Sequence, residues 1–356
     1  MSYVTSMFAR RFSIFGCATV ATTWLFNRNR NGSEYMATPI TDEKLLVKPE
    51  KMVFKMEKMC MDLQNRLCRE LEAVETSNKK FKPDRWLRKQ GGGGISCVLQ
   101  DGEVFEKAGV NISVVHGKLP PAAVKQMRSR GKNLPDNQSL PFMAVGISCV
   151  IHPTNPMVPT VHFNYRYFEV DTVEEKQWWF GGGSDLTPSY LNHKDAIHFH
   201  STLKEACDKH DATYYPKFKK WCDDYFHVTH RGERRGLGGI FFDDVDTPSA
   251  DAVFDFVSSC AYAVIPSYLP IIREHVNDPF TEEQKQWQQL RRGRYVEFNL
   301  VHDRGTKFGL LTPEARVESI LMSLPLTARW EYMHTPTEGS AEKELTDVLR
   351  NPRDWV

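Results

Sequence analysis

The chain has 356 residues, and its 46 Lys and Arg almost balance its 45 Asp and Glu, which leaves a net charge of +1. Hydrophobic residues make up 41% and aromatic residues 12% of the chain, so there is enough apolar material for a core and disorder over the whole chain is excluded. No apolar run approaches the roughly 20 residues of a membrane span, and so balanced a charge excludes a protein that coats nucleic acid.

The first 33 residues differ in charge from the rest. They contain four arginines and no acidic residue, so the remainder has 42 basic against 45 acidic residues, a balance of −3. An Arg-rich, acid-poor start is typical of a mitochondrial transit peptide, and the apolar run at 12–26 is too short to span a membrane comfortably. We expect residues 1–48 to be a targeting segment and linker that direct the chain to the mitochondrial intermembrane space. A disordered cytosolic tail is the alternative.

The next part of the chain predicts one helix and then strands. Apolar residues recur at three- and four-residue steps from 50 to 71, which indicates a helix. Four glycines at 91–94 separate it from a strand at 95–99. A period of two then predicts further strands at 143–151, 160–170 and 177–180.

The second half mixes helices and strands without regular alternation. Strands are predicted at 238–243 and 294–302. Helices are predicted at 192–226 with a break near Pro216, at 250–275, at 282–292 between a Thr281 cap and Gly293, and from Thr312 through Leu324. This mixture favours an α+β fold, with a largely antiparallel sheet covered by helices, in a single domain over residues 49–356.

Neither the cysteines nor the histidines form a metal motif. The eight cysteines contain no C-x-x-C pair, so we expect small buried hydrophobes. His193, His198 and His200 point to different sides of one predicted helix and include no H-E-x-x-H. We expect these three histidines at the surface or an interface, and no metal site.

The strand at 160–170 has two unlike faces. Alternation places Val161, Phe163, Tyr165 and Tyr167 on one face, and His162, Asn164 and Arg166 on the other. The second row either is solvated, which is the commoner case, or lines a polar pocket. In a pocket, Arg166 could bind a carboxylate while His162 exchanges a proton.

Two glycine-containing segments follow. Gly181–Gly183 reads as a turn that presents Asp185. The carboxylate would repel phosphate, so the pattern suits a ligand with N–H donors. A tight turn in which Asp185 caps a helix is an equal alternative. The run at 230–244 carries three arginines among glycines, and more arginines follow at 291–294, 304 and 316. Arginines in loops at several strand ends suggest a ligand with more than one carboxylate.

Four long runs carry a resemblance that covers residues 50–356. The runs WWFGGGSDLTPSYL, HRGERRGLGGIFFDD, RRGRYVEFNLVHDRGTKFGL and ESILMSLPLTARWEYMH resemble the oxygen-dependent coproporphyrinogen III oxidase family. The resemblance implies a large antiparallel β-sheet flanked by α-helices on both faces, in a homodimer. It implies oxidative decarboxylation of two propionates of coproporphyrinogen III to vinyls in haem biosynthesis, with O2 as co-substrate and no metal or organic cofactor. Peripheral contact with the inner mitochondrial membrane is also expected.

The resemblance also implies site residues. His162 matches the family's proton donor, and Asp185 and Asp303 fall on cleft positions where a carboxylate could accept hydrogen bonds from pyrrole N–H groups. The expected substrate-binding residues are Ser148, Asn164, Tyr165, Arg166, Arg231, Arg235, Arg304 and Arg316.

Two other classes stay open on the residues alone. A metal-dependent hydrolase would need a ligand set among the twelve histidines. An RNA-binding module could use the Arg-Gly run with neighbouring aromatic residues, although the −3 balance after residue 33 argues against it.

Overall fold

A seven-stranded antiparallel sheet organises the chain in the computed structural model, which describes residues 35–136, 138–311 and 315–356. Its strand order is β1-β2-β3-β4-β5-β6-β9, so six consecutive strands form a meander. Two short strands, β7 and β8, pair separately. The strands are β1 Lys82–Leu87, β2 Gly92–Gln100, β3 Phe105–Leu119, β4 Leu140–Pro153, β5 Thr160–Asp171, β6 Lys176–Thr187, β7 His227–Val228, β8 Glu233–Arg234 and β9 Gly238–Val245.

Helices cover both faces of this sheet, which confirms the predicted α+β class. A 3-10 turn lies at Thr229–Arg231, and a π-helical turn lies at Phe298–His302. The α-helices are α1 Glu43–Val47, α2 Met52–Val74, α3 Pro121–Arg128, α4 His193–Asp208, α5 Tyr214–Tyr225, α6 Ala250–His275, α7 Glu282–Glu297, α8 Arg304–Leu311, α9 Val317–Leu321 and α10 Ala341–Arg350.

The main core lies between one face of the sheet and helices α2, α4 and α6. The apolar row of β5 points into it: Val161, Phe163 and Tyr165 are fully buried and Tyr167 is almost so. The two faces predicted for this strand are therefore confirmed. All seven cysteines of the described residues are buried and free, as expected of small core residues.

Helix α6 is long and apolar enough to cross a membrane by length and composition alone. Just over half of its apolar window is buried inside the protein, and its residues belong to the main core. The helix continues through Pro266 and Pro270. Its apolar character is accounted for by packing against the sheet and neighbouring helices.

The compact unit begins at Tyr35. Residues 35–40 pack on the main core, and the buried carboxylate of Glu57 on α2 accepts hydrogen bonds from the backbone N–H groups of Ile40 and Thr41, both at 3.0 Å. In the structure, residues 35–48 are thus attached to the domain. Of the targeting segment and linker predicted at 1–48, residues 1–34 lie outside the described residues.

Two predictions from glycines are wrong. Gly181–Gly183 do not form a turn but lie inside β6, because the neighbouring strands approach closely; a Cβ on Gly183 would lie 2.4 Å from the Ile240 carbonyl oxygen. Gly293 does not end α7. It allows a close approach by Arg329, whose carbonyl oxygen would lie 2.6 Å from an added Cβ.

The strand predicted at 294–302 is also wrong. This segment is the end of α7 followed by the π-helical turn. Its aromatic and β-branched residues suggested a strand, but Tyr295 and Phe298 are both buried and stand three residues apart, which is helical spacing. Tertiary packing overrides the local pattern here.

Strands β1 and β3 were not predicted, and the remaining differences concern helices and one histidine. The helical stretch at 192–226 breaks at 209–213 and not at Pro216, which lies in the first turn of α5, where proline is tolerated. The described part of the predicted last helix is only α9, with Thr312 and Pro313 outside the described residues, and α10 was not predicted. His200 is fully buried, so its predicted surface position is wrong.

Candidate active site

The sheet face opposite the main core carries few large side chains at its centre. Asn164 and Arg166 of β5 have glycine or serine as their cross-strand neighbours on both β4 and β6. A side chain at Gly181 would collide with the guanidinium of Arg166, at 2.6 Å. We call these six positions the polar floor: Gly146, Ser148, Asn164, Arg166, Gly181 and Gly183. A flat ligand could lie close to the backbone here.

Helices cover other parts of the sheet near this floor. Val124 of α3 packs in a small apolar cluster with Val170 and Trp179, further along β5 and β6. The segment from α7 to α9 contacts β2 and β3, with Ser319 Oγ at 2.8 Å from Ser96 Oγ and Met322 against Gly109. The four floor positions on β4 and β5 are half-buried, and the two glycines on β6 are buried.

A buried charged group borders the floor at β6. The carboxylate of Asp185 accepts one hydrogen bond from Nδ1 of His162 at 2.6 Å and another from Nη2 of Arg235 at 2.7 Å. The side chains of Asp185 and Arg235 are each 2% exposed, whereas that of His162 is 21% exposed. Of the three, His162 is therefore the group that a ligand on the floor can contact.

Aromatic rings and an amide hold the buried arginine in place. The guanidinium carbon of Arg235 lies 4.2, 4.5 and 4.9 Å from the ring centres of Phe226, Tyr295 and Phe298. Its Nη1 donates to Asn299 Oδ1 at 2.8 Å. Cation–π contacts and a second acceptor offset part of the cost of burying this charge.

The charges of this group fix the roles of the histidine nitrogens. Burial alone would raise the pKa of Asp185, but Arg235 and then His162 outweigh it, and the pKa is lowered, so the carboxylate is ionised. An ionised carboxylate only accepts hydrogen bonds, so Nδ1 of His162 carries a proton. Nε2 is then the nitrogen that can exchange a proton with a ligand.

A second charged group stands at the other end of the β5 row. Asp243 Oδ1 lies 2.9 Å from Arg166 Nη2, and its Oδ2 lies 3.6 Å from Arg304 Nη2. Arg130, which the sequence analysis did not single out, approaches the same carboxylate at 3.2 Å. Nη1 of Arg166 also donates to Asn164 Oδ1 at 2.7 Å. The structure thus brings predicted residues Asn164, Arg166 and Arg304 together.

Three predicted residues lie away from Asp185 and the floor. Tyr165 points into the main core, with its hydroxyl 2.7 Å from Ser184 Oγ. Arg231 makes a two-fold contact with Glu297, at 2.9 and 2.7 Å. Arg316 pairs with Asp84 near the edge of the sheet.

Asp303 occupies a capping position. Its Oδ1 accepts a hydrogen bond from the Tyr225 hydroxyl at 2.8 Å, and its Oδ2 accepts one from the Thr306 N–H at 2.6 Å, at the start of α8. Ser148 is half-buried on the floor opposite Asn164. Asp185 therefore lies with His162 and Arg235, and Ser148 lies beside Asn164 on the floor, while Asp303 stabilises the adjoining helix.

The site also contains residues that the sequence analysis did not assign. Phe226, Tyr295, Phe298 and Asn299 surround Arg235, and three of them lie in the segment misread as a strand. Helical spacing of the buried aromatics was the signal that could have placed them. Among the residues described here, no three His, Cys, Asp or Glu side chains are grouped as a metal ligand set.

Sequence comparisons identify the chain's relatives. A profile described as coproporphyrinogen III oxidase matches residues 55–355. The oxygen-dependent coproporphyrinogen-III oxidase of Drosophila melanogaster is 67% identical over 328 residues, 92% of this chain and 84% of the relative. The mitochondrial protein of that name from Homo sapiens is 64% identical over 327 residues, 91% of this chain and 72% of the relative. The chloroplastic protein from Glycine max is 57% identical over 308 residues, 84% of this chain and 78% of the relative. The chain therefore belongs to the coproporphyrinogen III oxidase family.

Proposed function

We propose that the polar floor and the Asp185–His162–Arg235 group carry out the family's reaction, the oxygen-dependent conversion of coproporphyrinogen III to protoporphyrinogen IX in haem biosynthesis. Each of two propionates loses CO2 and a hydride equivalent and becomes a vinyl. O2 takes up that hydride and one proton, which gives H2O2. Family membership supports the activity, and the partly exposed His162 at the edge of a glycine-rich floor is the observation that carries its placement.

In this proposal, His162 is the catalytic residue and Asp185 is a positioning residue. Each oxygen of Asp185 already accepts a hydrogen bond, and the side chain is 2% exposed. We expected Asp185 or Asp303 to make the polar contact with the substrate. We therefore propose that His162 and Asn164 make it instead. Asp185 keeps the proton on Nδ1 of His162 and stabilises positive charge on its ring.

A turnover assay tests the function directly. The purified protein is incubated with coproporphyrinogen III in air, and protoporphyrin fluorescence is followed after oxidation of the product, with H2O2 measured in parallel. We expect turnover, and a fall of about 10²–10⁴-fold for His162→Gln because general acid–base catalysis typically contributes that much. His193→Gln, a change at an exposed histidine of α4, is the control. No turnover by the unaltered protein contradicts the function; a loss well under tenfold for His162→Gln contradicts the role of His162.

We also propose that O2 reacts without a metal or organic cofactor. The groups around His162 support this, since its Nδ1 contacts the Asp185 carboxylate, the other oxygen of that carboxylate is taken by the Arg235 guanidinium, and the adjacent ring is that of Phe226. Activity that survives dialysis against a chelator, with no stoichiometric metal in the active protein, is the expected result. Activity lost on dialysis and restored by one metal contradicts the proposal and revives a metal-dependent mechanism.

The homodimer is likewise a proposal, and we assign it to exposed apolar residues at the end of α8 and in the segment after α9. Leu311, Trp330, Tyr332 and Met333 are 83%, 53%, 97% and 80% exposed. Large exposed apolar surfaces are typical of interfaces. Sedimentation should show a dimer that Tyr332→Glu with Met333→Glu converts to monomer. A monomeric unaltered protein contradicts the homodimer.

The chain is mitochondrial, in line with relatives from Homo sapiens, Rattus norvegicus and Mus musculus that are 63–64% identical and named as mitochondrial. We propose the intermembrane space, with peripheral contact on the inner membrane. Support comes from the Arg-rich start followed by an apolar run. Protease should degrade the protein after rupture of the outer membrane alone, and salt should release it from the inner membrane. Protection from protease contradicts this location.

A further inference from the structure

One charged group stands at the edge of the floor and shares Arg166 with it. Three guanidiniums, from Arg130, Arg166 and Arg304, surround the carboxylate of Asp243 at 3.2, 2.9 and 3.6 Å. We call these four residues the arginine cluster. Asp243 is 8% exposed, whereas the arginine side chains are 31%, 37% and 52% exposed. The anion is thus buried and its cations face outward.

The cluster has more positive than negative charge. Burial alone would raise the pKa of Asp243, but Arg166 and Arg130 outweigh it and the pKa is lowered, so this carboxylate is ionised. Asp244 lies 3.4 Å from Arg130 as well. Even with these two aspartates counted, three guanidiniums exceed their anions, and each guanidinium has five N–H donors. The cluster can therefore accept a further carboxylate.

Arg130 is held in this position by its neighbour Lys132. The Lys132 side chain is 7% exposed, pairs with Asp246 at 2.9 Å and lies 4.7 Å above the centre of the Trp179 ring. This anchor fixes the chain that follows α3 against the end of β9. Because the contact of Lys132 is buried, it fixes the position of Arg130, two residues earlier, beside Asp243.

The other predicted carboxylate-binding arginines are already engaged. Arg235 is buried against Asp185, Arg231 contacts Glu297 through two nitrogens, and Arg316 pairs with an aspartate near the sheet edge. Among the residues that the structure describes, the arginine cluster is the group of half-exposed guanidiniums that adjoins the floor.

The distance between the arginine cluster and His162 indicates which propionate of the substrate the cluster could bind. His162 and Arg166 are four residues apart on β5, a span of about 13 Å, which a tetrapyrrole crosses when it lies on the floor. A propionate that decarboxylates must lose its negative charge as CO2 leaves. Three guanidiniums would stabilise the carboxylate more than the transition state and slow that step.

We propose that the arginine cluster binds a propionate that the reaction retains, and that Arg130 is a residue that determines specificity for it. The proposal rests on the proposed function. Arg130 supplies a charge-assisted hydrogen bond to this carboxylate, while Asp243 keeps the three guanidiniums together when the substrate is absent.

Binding of two oxidised, unreactive porphyrins tests the proposal. Coproporphyrin III has four propionates, and mesoporphyrin IX has only the two that the reaction retains, with ethyl groups at the reacting positions. Affinities are measured by tryptophan fluorescence quenching for the unaltered protein, Arg130→Gln and Arg130→Lys. Arg128→Gln, at a surface arginine 3.6 Å from Asp136, is the matched control.

We expect Arg130→Gln to weaken both porphyrins by about 10–100-fold, as for loss of a hydrogen bond to a charged group. Arg130→Lys should recover part of this loss, and Arg128→Gln should change either affinity by less than about twofold. A loss for coproporphyrin III alone would show that the cluster holds a reacting propionate and overturns the proposal. Equal effects of Arg130→Gln and Arg128→Gln also overturn it.

Turnover separates this inference from the function on which it rests. If the unaltered protein does not convert coproporphyrinogen III, the function itself fails. If it does so and Arg130→Gln raises KM with little change in kcat, both stand. If Arg130→Gln leaves KM unchanged, only the assignment of Arg130 fails, and Arg130→Lys gives the same answer should the glutamine variant fold poorly.

Discussion

The two faces of β5 share one backbone, but one face packs in the main core and the other borders the candidate active site. On one face, Phe163 and Tyr165 are fully buried against the helices of the main core. On the other, His162 and Arg166 are flanked by glycines or by charged partners and remain partly exposed. Apolar burial supplies stability on the first face, at about 25 cal/mol per Å². The second face lacks this apolar burial, which leaves its polar side chains accessible to a ligand.

The buried ion pairs also differ between the region beside the floor and the region away from it. Asp185 and Arg235 form a buried pair beside the floor, and Glu233 and Arg291 form another, also at 2.7 Å, away from it. Burying either pair costs desolvation energy. The first pair contacts the partly exposed side chain of His162, which can exchange a proton. The two pairs therefore allow structural and chemical roles to be measured separately.

The largest effect is expected for Asp185→Asn. The variant leaves the buried guanidinium of Arg235 without its counter-charge, so the free energy of unfolding should fall by about 3–5 kcal/mol. It also replaces one carboxylate oxygen by an NH2 donor. With the remaining oxygen facing Arg235, Nδ1 of His162 loses its acceptor and the wrong tautomer is favoured, so kcat should fall by more than about 100-fold and its pH profile should shift. Urea unfolding and turnover at several pH values measure both effects.

Glu233→Gln is the matched control for this change. It should destabilise the protein through the unpaired charge of Arg291 but leave kcat per folded molecule and the pH profile as they were. If both variants lower kcat equally, Asp185 has no more than a structural role.

Phe163→Ala tests the apolar face next. It should lower the free energy of unfolding by about 3–5 kcal/mol, because it leaves a cavity in the main core, with kcat per folded molecule retained. Asn164→Ala, one residue away on the floor, should do the reverse and change KM with little loss of stability. Urea denaturation and steady-state kinetics on both variants measure these effects. If each variant changed stability and kinetics alike, the two faces of β5 would not have separate roles.

The pH dependence of stability is the third test and involves His200. Burial, with a smaller contribution from Lys219, lowers the pKa of His200 from 6.5 to about 3. The unfolded chain therefore takes up a proton below pH 6.5 that the folded protein does not, and stability falls as pH drops from 6.5 towards 3.

Between pH 7 and 4.5 the unaltered protein should lose about 2–3 kcal/mol more than His200→Gln. Urea midpoints at the two pH values measure this, with His193→Gln as the exposed control. Parallel losses in all three proteins would mean that His200 is not buried in its neutral form.

Gly181→Ala should have the smallest effect and sharpens the description of the floor. An added Cβ would lie 2.6 Å from Arg166 Nη2 and 2.7 Å from Asp243 Oδ1. Both neighbours are ends of flexible side chains, so the fold should survive while the pair separates. We expect KM to rise about tenfold, equivalent to about 1.4 kcal/mol, with kcat nearly unchanged. An unchanged KM would argue that the substrate does not depend on this pair.

Sequence patterns located much of the fold and part of the site. The period of two placed His162, Asn164 and Arg166 on one face because sheet geometry fixes which residues share a side. Asp185 was selected, but its burial against Arg235 was not predictable, since the two are 50 residues apart and meet only when β9 pairs with β6. Arg130 was missed because its loop has no periodicity and its partner, Asp243, lies 113 residues away.

The strand order has a consequence for how the protein assembles. Strands β1 to β6 each pair with the next one along the chain, so the sheet can grow by adding successive hairpins. The last strand, β9, joins only after two helices have been passed, and Arg235 arrives just before it. Without that segment Asp185 has no arginine counter-charge. In chain order the reaction centre is thus the last part of the sheet to be completed, and a chain that ended after six strands would lack Arg235 and with it the charged group around His162.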